Sequence, residues 1–135
     1  MAEQTELKKK EFTYKGKTLD ELKVMDTREF AKYVGSRERR TILRQFREIE
    51  DFVSRAKEKT ANKKPVRTHQ RHLVIVPQMV DMKVQIYNGR NFISIEITGE
   101  MLGHRLGEFA PTRGRVKHGS AGIGATKGSR AQAKK

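Results

Sequence analysis

The spacing of apolar positions changes once along this chain, and the change separates two kinds of structure. Ile42, Phe46, Ile49, Val53 and Ala56 recur at intervals of four, three, four and three. That is the period of an amphipathic helix, and it predicts a helical region over about 37–59, opened by Ser36. A kink inside so long a stretch is compatible with the pattern. A shorter helix precedes it: Asp26 is a candidate N-cap with Glu29 three residues on, Phe30 and Val34 share a face, and Gly35 ends it.

Past residue 70 the period falls to two. His72–Val76 reads as a short apolar strand closed by Pro77. Lys83–Tyr87 and Phe92–Ile97 read as two paired strands joined across Asn88 and Gly89. Asn-Gly favours a two-residue type I′ turn, because both central residues need positive φ. Such a turn sets Tyr87 opposite Arg90, Ile86 opposite Asn91 and Val84 opposite Ile93. Val84, Ile86, Ile93, Ile95 and Ile97 then fall on one face, which needs a cover that the upstream helices can supply. Thr98 opens a short helical turn through Leu106, with Met101, Leu102 and Leu106 as its apolar residues. Gly103 allows close backbone approach and Gly107 ends the turn. The expected fold is α+β, a small three-stranded sheet packed against N-terminal helices, with extended basic segments at both ends. The expected divisions are a basic arm over 1–20, a helical region over 21–60, an α+β core over 61–110 and a Gly-rich basic tail over 111–135.

Charge changes this picture most at the end of the chain. The 135 residues carry 30 Lys and Arg against 16 Asp and Glu, a formal net charge of +14. Residues 108–135 hold seven basic residues, five Gly and one acid, with Phe109, Val116 and Ile123 as isolated apolar side chains. Such a segment buries too little apolar surface to offset the entropy of ordering it, and it makes physical sense beside a polyanion. No run of apolar residues is long enough to span a bilayer, no leader pattern opens the chain, and cysteine is absent, which fits an intracellular, cytoplasmic protein and no membrane partner.

The chemistry of catalysis is not apparent. No Ser sits in a nucleophile elbow. Gly122 and Gly124 follow no strand and lack the Lys-Ser/Thr of a phosphate loop. Nothing selects a catalytic pair from Glu96, Glu100 and Glu108. His69 and His72 lie three apart without an implied carboxylate, so neither a metal nor another cofactor is expected. Nucleic-acid chemistry is better supplied. Arg37, Arg39 and Arg40 cluster with only Glu38 as local counter-charge, whereas Arg55 and Lys57 read as a solvated helix face. Lys63, Lys64 and Arg67 lie in a basic linker, and His104, Arg105, Arg113, Arg115, Lys117 and His118 cluster near the tail. Arginine grips phosphate with a planar fork, and glycines let the backbone follow an irregular groove. With no zinc finger, basic zipper or helix-turn-helix in view, RNA is the better match than duplex DNA. Tyr87 and Phe92 flank the turn opposite the core, with packing on protein favoured over stacking on bases. Glu108 is the acid amid this basic run, expected to hold Arg105 or Arg113 by a salt bridge.

The run Met101-Leu102-Gly103-His104-Arg105-Leu106-Gly107-Glu108-Phe109-Ala110-Pro111-Thr112-Arg113 closely resembles the signature of a small-subunit ribosomal protein family, numbered nineteen in bacteria and fifteen in the older eukaryotic scheme. Ile75-Val76-Pro77-Gln78-Met79-Val80 and Tyr87-Asn88-Gly89-Arg90 support the resemblance. Lys117-His118-Gly119, Gly122-Ile123-Gly124-Ala125-Thr126 and Ser36-Arg37-Glu38-Arg39-Arg40 look like the archaeal type. The resemblance implies a non-catalytic protein in the head of the small subunit. Its expected partners are the 3′ major domain of the ribosomal RNA and the neighbouring protein numbered thirteen, with the tail directed toward the decoding region and tRNA near it. The composition alone also admits a free-standing RNA-binding or RNA-chaperone protein. Carried onto this chain, the resemblance makes His104, Arg105, Thr112, Arg113 and the tail from Lys117 RNA-facing, and gives Gly103 and Gly107 close backbone approach. The full candidate RNA-binding set adds His69, Arg71, Arg90, Lys127 and Arg130 to the basic residues above, with Asn88, Gly89, Gly103, Gly107, Glu108 and Phe109 as structural positions. One departure is Asp81, where the family commonly has Gly.

Overall fold

A computed structural model describes residues 12–117, 119, 121, 122 and 124–132; the proposed RNA-binding residue His118 and most of the Lys-rich arm lie outside them. Among the described residues, a small ribbon comes first, β1 (Thr13–Tyr14) against β2 (Lys17–Thr18), and passes directly into helix α1 (Leu19–Val24). Helix α2 (Thr27–Phe30) follows, with the Asp26 carboxylate accepting from the Thr27 N–H at 2.8 Å. It tightens into a 3₁₀ turn over Ala31–Tyr33. The long helical region is two helices, α3 (Ser36–Arg44) and α4 (Phe46–Ala61), broken at Gln45, whose φ of −103° and ψ of 22° leave the helical range. Gly35, and not Ser36, occupies the N-cap position of α3. Ile42, Ile49, Val53 and Ala56 are buried as the periodicity predicts, and Phe52 joins them beside the stripe.

The sheet differs from its sequence reading in which segment supplies the first strand. Its order is β3 (Val66–Thr68), β4 (Lys83–Tyr87), β5 (Phe92–Glu96), with β3 parallel and β5 antiparallel to β4. The expected strand at 72–76 lies outside the sheet, with His72 in a turn and Val74 in an isolated antiparallel bridge to Arg105. Its backbone groups go instead to the 103–107 segment, through Gly103 N–H to Ile75 O, Ile75 N–H to His104 O and Leu106 N–H to Leu73 O. Leu73, Val74, Ile75 and Val76 are all buried, so this is a continuous apolar run with no solvent face to reveal a sheet edge. The basic linker supplies β3, in which Val66 and Thr68 are buried and Arg67 is exposed.

The β4–β5 connection is four residues long, not two. Tyr87 pairs with Phe92, Ile86 with Ile93 and Val84 with Ile95. The Asn88 carboxamide oxygen accepts from the N–H groups of Arg90 (2.9 Å) and Asn91 (2.7 Å), and this side-chain capture closes the longer loop that the type I′ expectation omits. A shift of two residues preserves the face assignment: Val84, Ile86 and Ile97 are fully buried, and Ile93 and Ile95 pack on the core edge. The expected helical turn over 98–106 is likewise two separate 3₁₀ turns, Gly99–Met101 and Leu106–Phe109, because Gly103 at φ +81° interrupts the helical path. A Cβ there would lie 2.8 Å from Val34 Cγ1, so the close approach this glycine permits is to the protein's own helical half.

A single hydrophobic cluster runs from Leu22 through Phe30, Ile42, Ile49 and Val53 to the sheet and ends at Leu106 and Ala110. Beyond Ala110 the chain is exposed through Lys117. Residues 127–132 form a short helix, α5 (Lys127–Gln132), where regular structure was not expected from composition. Lys, Arg, Ala and Gln favour helix locally even beside Gly128.

Candidate nucleic-acid interface

Which arginines are available to a partner is decided by what the fold does with each guanidinium. Arg71 is half-buried and committed internally. Its terminal nitrogens donate to Tyr87 O at 2.6 Å, Gly107 O at 2.9 Å and Ala110 O at 2.5 Å. It thereby ties the tip end of β4 to the turn from which the tail departs. Gly107 is part of the same joint, since a Cβ there would sit 3.0 Å from Arg71 O. Arg39 is also occupied, donating to Ala31 O (3.1 Å) and Lys32 O (2.9 Å), where it satisfies carbonyls of the 3₁₀ turn. Arg37 and Arg40 stay exposed on α3 and make no ion pair among the described residues.

The anchored joint places four of the expected contact residues together. Arg90 from the hairpin loop and Thr112, Arg113 and Arg115 from the start of the tail line one open groove of about 400 Å³, together with Asn88. No carboxylate lines it. The Asn88 loop fixes Arg90 on one wall, and the Arg71 joint sets where the other wall begins. Three guanidiniums facing a groove without counter-charge suit a phosphodiester backbone. Lys63 and Lys64 line a different groove that Asp81 also lines, so their charge is partly offset. Lys117, Lys127 and Arg130 are exposed along the tail.

Glu108 does not pair with the guanidinium of Arg105 or Arg113. Its carboxylate meets His104 Nδ1 at 2.8 Å and accepts from the Arg105 backbone N–H at 3.3 Å, while its own N–H donates to Arg105 O. The local 3₁₀ geometry explains the correction: a Glu three residues into a turn reaches back to the N-cap backbone before it reaches outward. His104 also stands edge-on to the Phe109 ring, 6.0 Å between centroids.

Arg67 and His69 form the other exposed group. Arg67 Nε donates to Gln85 Oε1 at 2.9 Å, and its guanidinium lies 5.4 Å from the Phe92 ring centre. His69 packs against Tyr87 at 4.5 Å and Phe92 at 5.3 Å. Arg55, read from sequence as part of a solvated helix face, and Lys59, which sequence passed over, share a cavity with Arg67 and His69. Their i, i+4 spacing was the available signal, but it does not tell which way that helix face looks. Among the described residues no cluster of three His, Cys, Asp or Glu is suited to a metal ion.

Comparison with known proteins identifies the family. Residues 32–118 match the family model described as Ribosomal protein S19. The chain is 44% identical over 123 residues to the small ribosomal subunit protein uS19 of Methanococcoides burtonii, covering 91% of this chain and 88% of that one. It is 46% identical over 126 residues to uS19 of Halorubrum lacusprofundi, covering 90% and 89%. The class is therefore that of structural, non-catalytic, rRNA-binding proteins of the small ribosomal subunit. Within that class, the chain belongs to the ribosomal protein S19 family, and its similarity is to archaeal members.

Proposed function

We propose that this ribosome-bound protein lies in the head of the small subunit against the 3′ major domain of the ribosomal RNA, beside the protein numbered thirteen. Its tail from residue 111 extends toward the decoding region, near tRNA. The observation that carries the reading is the groove of Arg90, Arg113 and Arg115, which lacks a lining carboxylate and opens where a buried core ends and an exposed basic strand begins. In this reading Arg90, Thr112, Arg113 and Arg115 meet phosphates, and Arg37, Arg40, Lys117, His118, Lys127 and Arg130 extend the contact. Arg71 and Arg39 serve by positioning backbone, and Gly103, Gly107, Glu108 and Phe109 shape the joint. Asn88 and Gly89 build the loop that presents Arg90.

Crosslinking within intact small subunits, mapped to both peptide and nucleotide, tests the placement. Peptides containing Arg90 and residues 113–117 are expected to join nucleotides of the 3′ major domain; attachment outside the subunit head overturns it. Sedimentation separates the alternative of a free-standing RNA chaperone, since a subunit constituent travels stoichiometrically with the particle at moderately high salt.

A further inference from the structure

The sheet has a second face that the groove above does not use. On it, alternation along β3 and just beyond places Arg67 and His69 outward, beside Gln85 and Tyr87 of β4 and Phe92 and Ser94 of β5. The Tyr87 and Phe92 rings lie 5.1 Å apart, with His69 against both and the Arg67 guanidinium near Phe92. The rings hold one another in place, yet Tyr87 and Phe92 are only half-buried and His69 is exposed. The rings stand at 48°, 79° and 54° to one another, so they form a braced cluster, and the platform it offers a base is a single ring already ordered in the fold.

At the platform's border lies a notch of about 180 Å³ between α4 and β3. Phe52 and Val66 help line its walls, and Arg55, Lys59, Arg67 and His69 contribute its polar groups. Helix α4 carries Glu48, Glu50, Asp51 and Glu58, but no carboxylate lines the notch. Arg55 is steadied by donating from Nε to Asp51 O at 3.1 Å, which leaves its terminal nitrogens available.

We propose that this face is a second RNA site, which takes an unpaired nucleotide: the base stacks on the ring of Phe92, which Tyr87 and His69 brace at an angle, and its phosphate sits in the notch against Arg55, Lys59 and Arg67. Aromatic rings accept any base by its π-face, and cations at their border hold the backbone that leads to it. Duplex RNA cannot present a base in this way. The inference rests on the RNA-binding reading above and adds a site on a face remote in the sequence from the tail.

The test uses the full chain and a short single-stranded oligouridylate carrying one 4-thiouridine. Photocrosslinks are expected in peptides bearing Tyr87 or Phe92. Substituting Arg55→Gln together with Lys59→Gln should lower the slope of log affinity against log salt by up to about 0.7, the contribution of the one single-strand phosphate held in the notch. Phe92→Leu should weaken binding about fivefold or more without changing the slope. If Phe92→Leu also shifts the urea midpoint, Lys59→Gln alone, on an exposed helix face, keeps the test: weaker binding and a smaller slope are expected, by less than the ~0.7 of a whole phosphate contact, and no change in either overturns the notch. Crosslinks confined to residues 111–132, with the Arg55/Lys59 variant unchanged and Arg113→Gln/Arg115→Gln weakened, overturn the platform while the RNA reading stands. Absence of binding by the native chain overturns the RNA reading itself.

Discussion

Two arginine-bearing regions meet at Ala110, and they use the same side chain in opposite ways. On the core side, Arg71 donates to three backbone carbonyls, of Tyr87 in β4, of Gly107 in the Leu106–Phe109 turn and of Ala110 just past it. On the tail side, Arg113 and Arg115 are exposed and make no ion pair among the described residues. A buried carbonyl without a donor is costly, so Arg71 is a structural requirement before it is a charge. Among the described residues Arg113 and Arg115 have no ion pair, and their worth depends on a partner. Total positive charge therefore overstates the interface, and a guanidinium's hydrogen-bond partners are the better guide.

The largest expected effect comes from converting the core arginine. Arg71→Leu leaves carbonyls of Tyr87, Gly107 and Ala110 without their donor and should destabilise the fold by about 3 kcal/mol, the scale of losing charge-assisted bonds in a part-buried setting. Urea denaturation measures it, and an unchanged midpoint breaks the comparison from the core side. Neutralising the tail, with Arg113→Gln, Arg115→Gln and Lys117→Gln together, should move the midpoint hardly at all. It should reduce the salt slope for single-stranded RNA by about 2, since each such contact contributes about 0.7. Loss of stability in that variant would mean that the exposed tail is part of the fold after all.

The contrast also marks what was legible in the sequence. The 3.6-residue stripe over Ile42–Ala56 and the alternation through Val84–Ile97 place Ile42, Ile49, Val53, Ala56, Val84, Ile86 and Ile97 in the core, because each element presents one face to it. The choice of third strand was not legible. A three-residue parallel strand such as Val66–Thr68 has too few positions to show a period, and the greasier His72–Val76 run mimics a strand while pairing elsewhere. Turn length was hidden for a related reason: Asn88-Gly89 suits a tight turn, but the Asn88 side chain stabilises a wider one. The tail's charge and the signature around His104–Thr112 were readable. The groove was not, since Arg90 and Arg113 are brought together by Arg71, whose role depends on carbonyls that only the fold assembles.

Asp81 sharpens the distinction between a charge that contacts a partner and one that serves geometry. Its φ is +67°, a left-handed conformation that glycine adopts freely and that Asp and Asn tolerate better than other side chains. Its N–H donates to Ile97 O and the Ile97 N–H donates to Met82 O, so two residues oppose one as in a glycine-type bulge at the mouth of the hairpin. That accounts for the Gly expected here by family resemblance. The Asp81 carboxylate also meets Lys23 Nζ at 2.6 Å, and this hydrogen bond, ahead of the charge itself, raises the Lys23 pKa above 10.5. Both side chains are substantially exposed, so the pair contributes little beside the backbone requirement. Asp81→Val should therefore destabilise by about 1–2 kcal/mol through strain, and Asp81→Gly by less than about 0.5 kcal/mol. The Lys23 contribution has a definite sign: a raised folded-state pKa adds stability below 10.5 that is lost as pH climbs through the folded value. The native chain and Asp81→Gly should thus converge in stability at strongly alkaline pH. A difference that widens there would remove the pair from the account and leave the backbone as the whole role of Asp81.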